Sequence, residues 1–100
     1  MLWVVTCTDK PNTAAIREKV VVPHREYLGG QKKILVLAGA TQTDDGNTAI
    51  GSLFVLNVNS RAEAKAFSDG DPFTQKGVFA TITITRMRKG QWNPEAAEGA

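Results

Sequence analysis

The turn cluster Thr43-Asp44-Asp45-Gly46-Asn47 most constrains this chain, because it separates two strongly apolar runs, Lys33 to Thr41 and Ile50 to Val58. Turn formers between two such runs join adjacent antiparallel strands. A hairpin is therefore predicted near the middle of the chain, and the flanking segments must pack against it. The neighbouring aspartates lack further oxygen ligands at loop spacing, so they read as turn chemistry and not as a cation site.

The flanks repeat one pattern, a helix next to the hairpin and a strand beyond it. Leu2 to Thr8 is dense in β-branched and aromatic residues and stops at Asp9-Lys10-Pro11-Asn12, which predicts the first strand. Asn12 or Thr13 then caps a helical stretch from Ala14. On the far side, Ser60 and Glu63 form a capping box opening a second helix that runs to Ser68 or Asp69, its alanines and Phe67 facing the sheet. Asp71-Pro72 is an N-cap and N1 pair opening a short helical turn, closed by Gly77. Val78 to Arg86 alternates Val78, Ala80, Ile82 and Ile84 against Thr81, Thr83 and Thr85, the period of a strand with one core face and one semi-polar face.

The order strand, helix, strand, strand, helix, strand is the α+β ferredoxin-like βαββαβ arrangement, in which two helices cover one face of a four-stranded antiparallel sheet. One domain over residues 1–90 is expected, with 91–100 as a C-terminal tail ordered through Trp92. The uncovered face draws on Trp3 or its neighbour set, the Leu and Val series of strands two and three, and the threonine row of strand four. That surface is too apolar for a monomer in water, so a homodimer burying the open sheet faces is predicted.

Composition narrows the function classes. A chain that is 42% hydrophobic and 22% charged is globular, and a net charge of +2 gives no case for a nucleic-acid partner. Arg86-Met87-Arg88-Lys89, the one local basic excess, reads as a solvated strand end. A single cysteine, Cys7, forms no internal disulfide and falls with Trp3 and Val5 on one face, the pattern of a buried structural thiol. No stretch approaches the roughly 20 apolar residues of a membrane span. A soluble cytoplasmic protein without membrane association is the expectation.

The one histidine, His24, lies in Pro23-His24-Arg25-Glu26-Tyr27-Leu28. Val20-Val21-Val22-Pro23 weakens the helix before it, and Pro23 cannot donate to the carbonyl of Lys19, so a kink or restart is expected. In a restarted helix Pro23 is N1 and His24 is N2, with Gly29-Gly30 as the end. The positive helix terminus would then hold the imidazole neutral and able to accept a proton. Gly39, at the narrow end of the second strand, reads either as a bulge or as a close approach by backbone or ligand. Asp71 on its own reads as a structural cap.

Taken together, Thr8-Asp9-Lys10-Pro11, the Pro23 to Leu28 segment, Leu37-Ala38-Gly39 and Asp71-Pro72-Phe73 with Gly77-Val78-Phe79 resemble the YCII-related (YciI-like) family across residues 1 to 90. The resemblance implies a ferredoxin-like fold assembled into dimeric α+β barrels, similar to muconolactone isomerases, with a histidine and aspartate pair in a pocket. It assigns His24 and Asp71 to that pair. Family members commonly carry an arginine three residues before the histidine, where this chain has Val21. The implied function is a small cofactor-free enzyme doing proton-transfer chemistry on a ring compound, isomerisation or elimination including loss of a halide. Asp71 would fix the tautomer and His24 would act as general base. Gly39, Ser52, Phe54 and Phe73 are the expected contacts of a small-molecule ligand. The alternative is a non-catalytic ligand-binding or regulatory dimer with the same pocket. A monooxygenase-like member of the same architecture fits less well, because no second histidine is present to hold haem or a metal.

Overall fold

The computed structural model describes residues 1–100, in the order β1 (Leu2–Asp9), α1 (Ala14–Gly29), β2 (Leu35–Gln42), β3 (Ala49–Asn57), α2 (Arg61–Gly70), α3 (Pro72–Gln75) and β4 (Phe79–Met87), with a 3-10 turn at Pro94–Ala97. The strands form one antiparallel sheet ordered β2-β3-β1-β4, the ferredoxin-like α+β arrangement. The hairpin forms where its turn residues stand. Asp45 Oδ1 accepts from Thr43 Oγ1 at 2.7 Å and from the Asn47 amide at 2.9 Å, while Gly46 takes a φ of 72°. The Asn47 amide and then the Thr43 hydroxyl lower the pKa of the Asp45 carboxyl.

β1 lies between two partners, and its two-residue period decides what the core contains. Trp3, Val5 and Cys7 are buried and oppose Leu56, Phe54 and Ser52 of β3. Val20 of α1, Ala64 and Phe67 of α2, and Phe73 of α3 close over them. Each fully buried side chain of this size contributes on the order of 2 kcal/mol by leaving water. Gly51 permits the strands to approach here, since a Cβ on it would lie 2.2 Å from the Cys7 carbonyl oxygen and 2.6 Å from Thr41 Oγ1.

Several expectations are corrected. Of the alternatives for the open face, Trp3 or its neighbours, the structure takes the second: Trp3 faces the helices, and Val4 lies on the open face with Leu37, Leu53, Val55 and the threonine row. In α2, Ala64 and Phe67 face the sheet, whereas Ala62 and Ala66 are exposed. Glu63 Oε2 accepts from the Asn59 amide at 2.6 Å, one residue outside the expected box, although Ser60 Oγ does accept from the Glu63 amide. Val78 precedes β4 and is buried together with Phe79, because the register shifts between Thr8 and Asp9 and turns both inward. Further along β4 only Ile84 is half-buried; Ala80 and Ile82 are exposed.

The largest correction concerns Pro23. α1 runs unbroken from Ala14 to Gly29 with Pro23 inside it, so His24 lies in the body of the helix and not at N2 of a new one. Loss of one amide donor and three β-branched residues weaken the helix locally, but tertiary packing decides the outcome. Val20 and His24, one turn apart on either side of the proline, are both buried beneath the helix and hold it down. α1 ends as expected, with the Gly30 amide donating to Glu26 and Tyr27 carbonyls.

The other side of the sheet is uncovered. Its main hollow, about 1020 Å³, is lined by Leu2, Leu37, Val55 and Met87 with Arg86 and Trp92 at its margin. No helix is long and apolar enough to cross a membrane.

Candidate functional site

A 3.6-residue period places Arg17, Val21, His24 and Leu28 in one stripe of α1, and that stripe forms one wall of a cleft of about 220 Å³. Ser52 and Phe54 of β3, Gly39 of β2 and Phe73 of α3 form the rest. The parity of β3 explains the first two: Ser52 and Phe54 point to the helix side because they oppose Cys7 and Val5.

Asp71 begins α3. Its Oδ1 accepts from the Phe73 amide at 2.9 Å, as an N-cap should, and also meets His24 Nδ1 at 2.7 Å. Asp71 is 1% exposed and His24 8% exposed. The second carboxylate oxygen, Oδ2, is buried and has no partner. Phe73 stacks on the imidazole, with centroids 3.8 Å apart and planes at 11°, and Phe54 presents an edge at 6.3 Å. With Nδ1–H donating to Asp71, the imidazole lone pair is on Nε2. That atom makes no hydrogen bond within the protein and is not enclosed, so it is reachable from the cleft. Because His24 is in the middle of α1, its tautomer is set by Asp71 and not by a helix terminus.

Arg17 is a part of the site that sequence reasoning missed. Its Nε donates to Asp9 Oδ2 at 2.7 Å, and its Nη2 donates to Asp9 Oδ1 at 3.2 Å, the Gly51 carbonyl at 2.7 Å and Ser52 Oγ at 2.9 Å. The guanidinium carbon is 4.7 Å from the centre of the Phe73 ring, a cation–π contact. Val21 stands where family members commonly carry an arginine, but Arg17 lies seven residues before His24, two turns along the same stripe. That spacing was the available signal.

The other expected site residues divide. His24, Asp71, Ser52, Phe54 and Phe73 are brought together around the cleft. Gly39 lines it too, but nothing lies within 4 Å of where its Cβ would stand, and the register shifts of β2 fall at Leu35/Leu37 and Thr41/Gln42. Neither a bulge nor a close approach by backbone therefore accounts for this glycine, and its open side faces the cleft. Cys7 is buried beside Ser52, and its thiol is pushed up to about 12, first by burial, then by the negative charges of Asp71 and Asp9, with Arg17 opposing. A thiol so protonated is a poor nucleophile. No three His, Cys, Asp or Glu side chains converge as a metal-ligand set.

A profile of the YCII-related domain matches residues 1–88. Among solved structures, the chain resembles 5-chloro-2-hydroxyhydroquinone dehydrochlorinase (TftG) from Burkholderia phenoliruptrix, in complex with 2,5-dihydroxybenzoquinone. That match has a TM-score of 0.83 and 28% identity, covering 90% of this chain and 96% of the other. A protein from Agrobacterium tumefaciens shares the fold at a TM-score of 0.55 and 17% identity, covering 94% of this chain and 98% of its own. No curated protein matches the chain significantly.

Proposed function

The chain belongs to the YCII-related family, and from that premise we propose that it is a small cofactor-free enzyme that moves a proton on a hydroxylated ring compound through His24 and Asp71. The observation carrying this reading is the buried 2.7 Å bond between His24 Nδ1 and Asp71 Oδ1, which leaves Nε2 open to an apolar-walled cleft. The likeness to a dehydrochlorinase supports ring chemistry that ends in loss of a halide.

In the proposed mechanism a ring substrate lies in the cleft beside Phe54. Nε2 takes a proton from the substrate, the electron pair passes into the ring, and the imidazolium that forms is stabilised by the Asp71 carboxylate. The only other hydrogen bond to that carboxylate comes from the Phe73 amide. Return of the proton to a different atom completes an isomerisation. For an elimination the proton returns to the chlorine-bearing ring carbon, which becomes tetrahedral. Nε2 then removes a second hydroxyl proton, chloride departs with the carbon–chlorine electron pair to leave a quinone, and that second proton passes from His24 to solvent. The Phe73 ring keeps the imidazole plane fixed during both steps.

The first assay is chloride release from 5-chloro-2-hydroxyhydroquinone, followed with pH. His24→Ala should lower kcat/KM by about 100-fold or more, the usual scale of general acid–base catalysis. Full activity in that variant would end the proposal. We also propose that two copies pair through their open sheet faces, since Leu37, Val55 and Met87 form an apolar surface that no element of the chain covers.

A further inference from the structure

We infer that Arg17 and Ser52 form a donor pair that holds an anionic oxygen of the substrate, so the cleft selects rings bearing an acidic hydroxyl over rings of the same shape without one. This rests on the reading of the cleft as a ring-binding site and adds a specificity-determining pair to it. Three observations carry it.

The first is the state of the guanidinium. Nε and Nη2 are occupied by Asp9, Gly51 and Ser52, which fix the group in place, while Nη1 makes no hydrogen bond in the protein and is not enclosed. A rigid charged donor facing a cleft is pre-organised for an oxyanion. The second is Ser52. Its oxygen accepts from Arg17, and its own proton has no acceptor within the protein. Ser52 is buried on the cleft wall, and its hydroxyl is a second donor beside the first.

The third is the separation of these donors from the base. Arg17 and His24 both rest against the Phe73 ring, at 4.7 Å and 3.8 Å from its centre. Seven residues of α1 also set Arg17 and His24 about 10 Å apart along the helix axis, a span on the scale of one six-membered ring hydrogen-bonded at both ends. Neither Asp9 nor Asp71 lines the cleft: Asp9 binds the Nε edge of the guanidinium, away from Nη1, and Asp71 is screened behind the imidazole. Donors, not carboxylates, face the ligand. The bound form is then a phenolate or hydroxyquinone anion, whose charge the pair stabilises.

The test compares 2,5-dihydroxybenzoquinone, which is anionic at neutral pH, with 2,5-dimethoxybenzoquinone, which cannot ionise. Binding of each is measured by calorimetry to the wild-type protein, Arg17→Met, Arg17→Lys and Ser52→Ala. The readout is the change in the ratio of the two affinities between variants, so a general loosening of the cleft and the bulk of the methyl groups cancel. The wild type should prefer the hydroxyquinone by about 100-fold, Ser52→Ala by about 10-fold, and Arg17→Met by no more than about 3-fold. Should Arg17→Met fail to fold by circular dichroism, Arg17→Lys decides, with the preference expected to fall to about 10-fold because an ammonium cannot both grip Asp9 bidentately and face the cleft. A wild-type protein without the preference, or an Arg17 variant that keeps it in full, overturns the inference. The base assignment fails separately, through chloride release that survives His24→Ala while the anion preference stands.

Discussion

One oxygen of Asp71 performs two tasks for His24: Oδ1 caps α3 through the Phe73 amide and, at 2.7 Å from Nδ1, orients the imidazole that stacks on that same Phe73. Cap, aromatic platform and imidazole are therefore one unit. Asp71→Asn keeps an oxygen that can accept both hydrogen bonds but removes the charge. It should fold, melt within a few degrees of the wild type, and lose about 100-fold in kcat. Asp71→Ala loses the cap as well and should cost about 1 kcal/mol more in stability by urea titration. An Asn variant with wild-type turnover would remove Asp71 from the chemistry.

The glycines Gly51 and Gly39 predict opposite outcomes. Gly51→Ala drives a methyl group into the Cys7 carbonyl and Thr41 Oγ1, shifting the strand that carries Ser52. A loss of at least about 2 kcal/mol is expected from denaturant melts. Gly39→Ala meets nothing within 4 Å and should stay within about 0.5 kcal/mol of the wild type. Equal stabilities for the two would contradict the strand packing.

Cys7 predicts an alkaline limb. Its folded pKa of about 12 is above the ordinary thiol value of 9.0, so between those values the native thiol stays protonated while the unfolded one ionises. The unfolded state then binds fewer protons, and stability falls as pH rises through that window. Below pH 9 the contribution is complete. Thermal melts from pH 8 to pH 11 should show this decline, and Cys7→Ala should flatten it. A parallel slope in both proteins would assign the decline elsewhere. Disulfide-exchange reagents at pH 8 should label Cys7 only after unfolding.

The open face predicts association. Val55→Lys, which puts a charge at the centre of the uncovered sheet, should convert a dimer to a monomer in sedimentation equilibrium without lowering helix content by circular dichroism. A monomeric wild-type protein at about 100 µM would refute the pairing.

How far the sequence could be read depends on the range of the interactions involved. Element order followed from local signals, since Asp45-Gly46, Ser60 with Glu63, and Asp71-Pro72 each act within a few residues. The meeting of His24 with Asp71 spans 47 positions, and only the family resemblance supplied it. Local reasoning failed at Pro23, where the burial of Val20 and His24 outweighs a lost donor, and left the choice between Trp3 and its neighbours open, since that face depends on which side of the sheet the helices occupy. Arg17 was missed because a single basic residue in a helix looks solvated until its acceptors arrive from β1 and β3.

The unbroken course of α1 has one further consequence. Arg17 and His24 are carried by the same continuous rod, seven residues and so about 10 Å of axial rise apart. Tilting or sliding that rod against the sheet moves both groups together. Substitutions at Ala38, Phe54 or Phe73 can therefore reshape the room between them, but the helix itself acts as a fixed gauge against which the length of any bound molecule is measured.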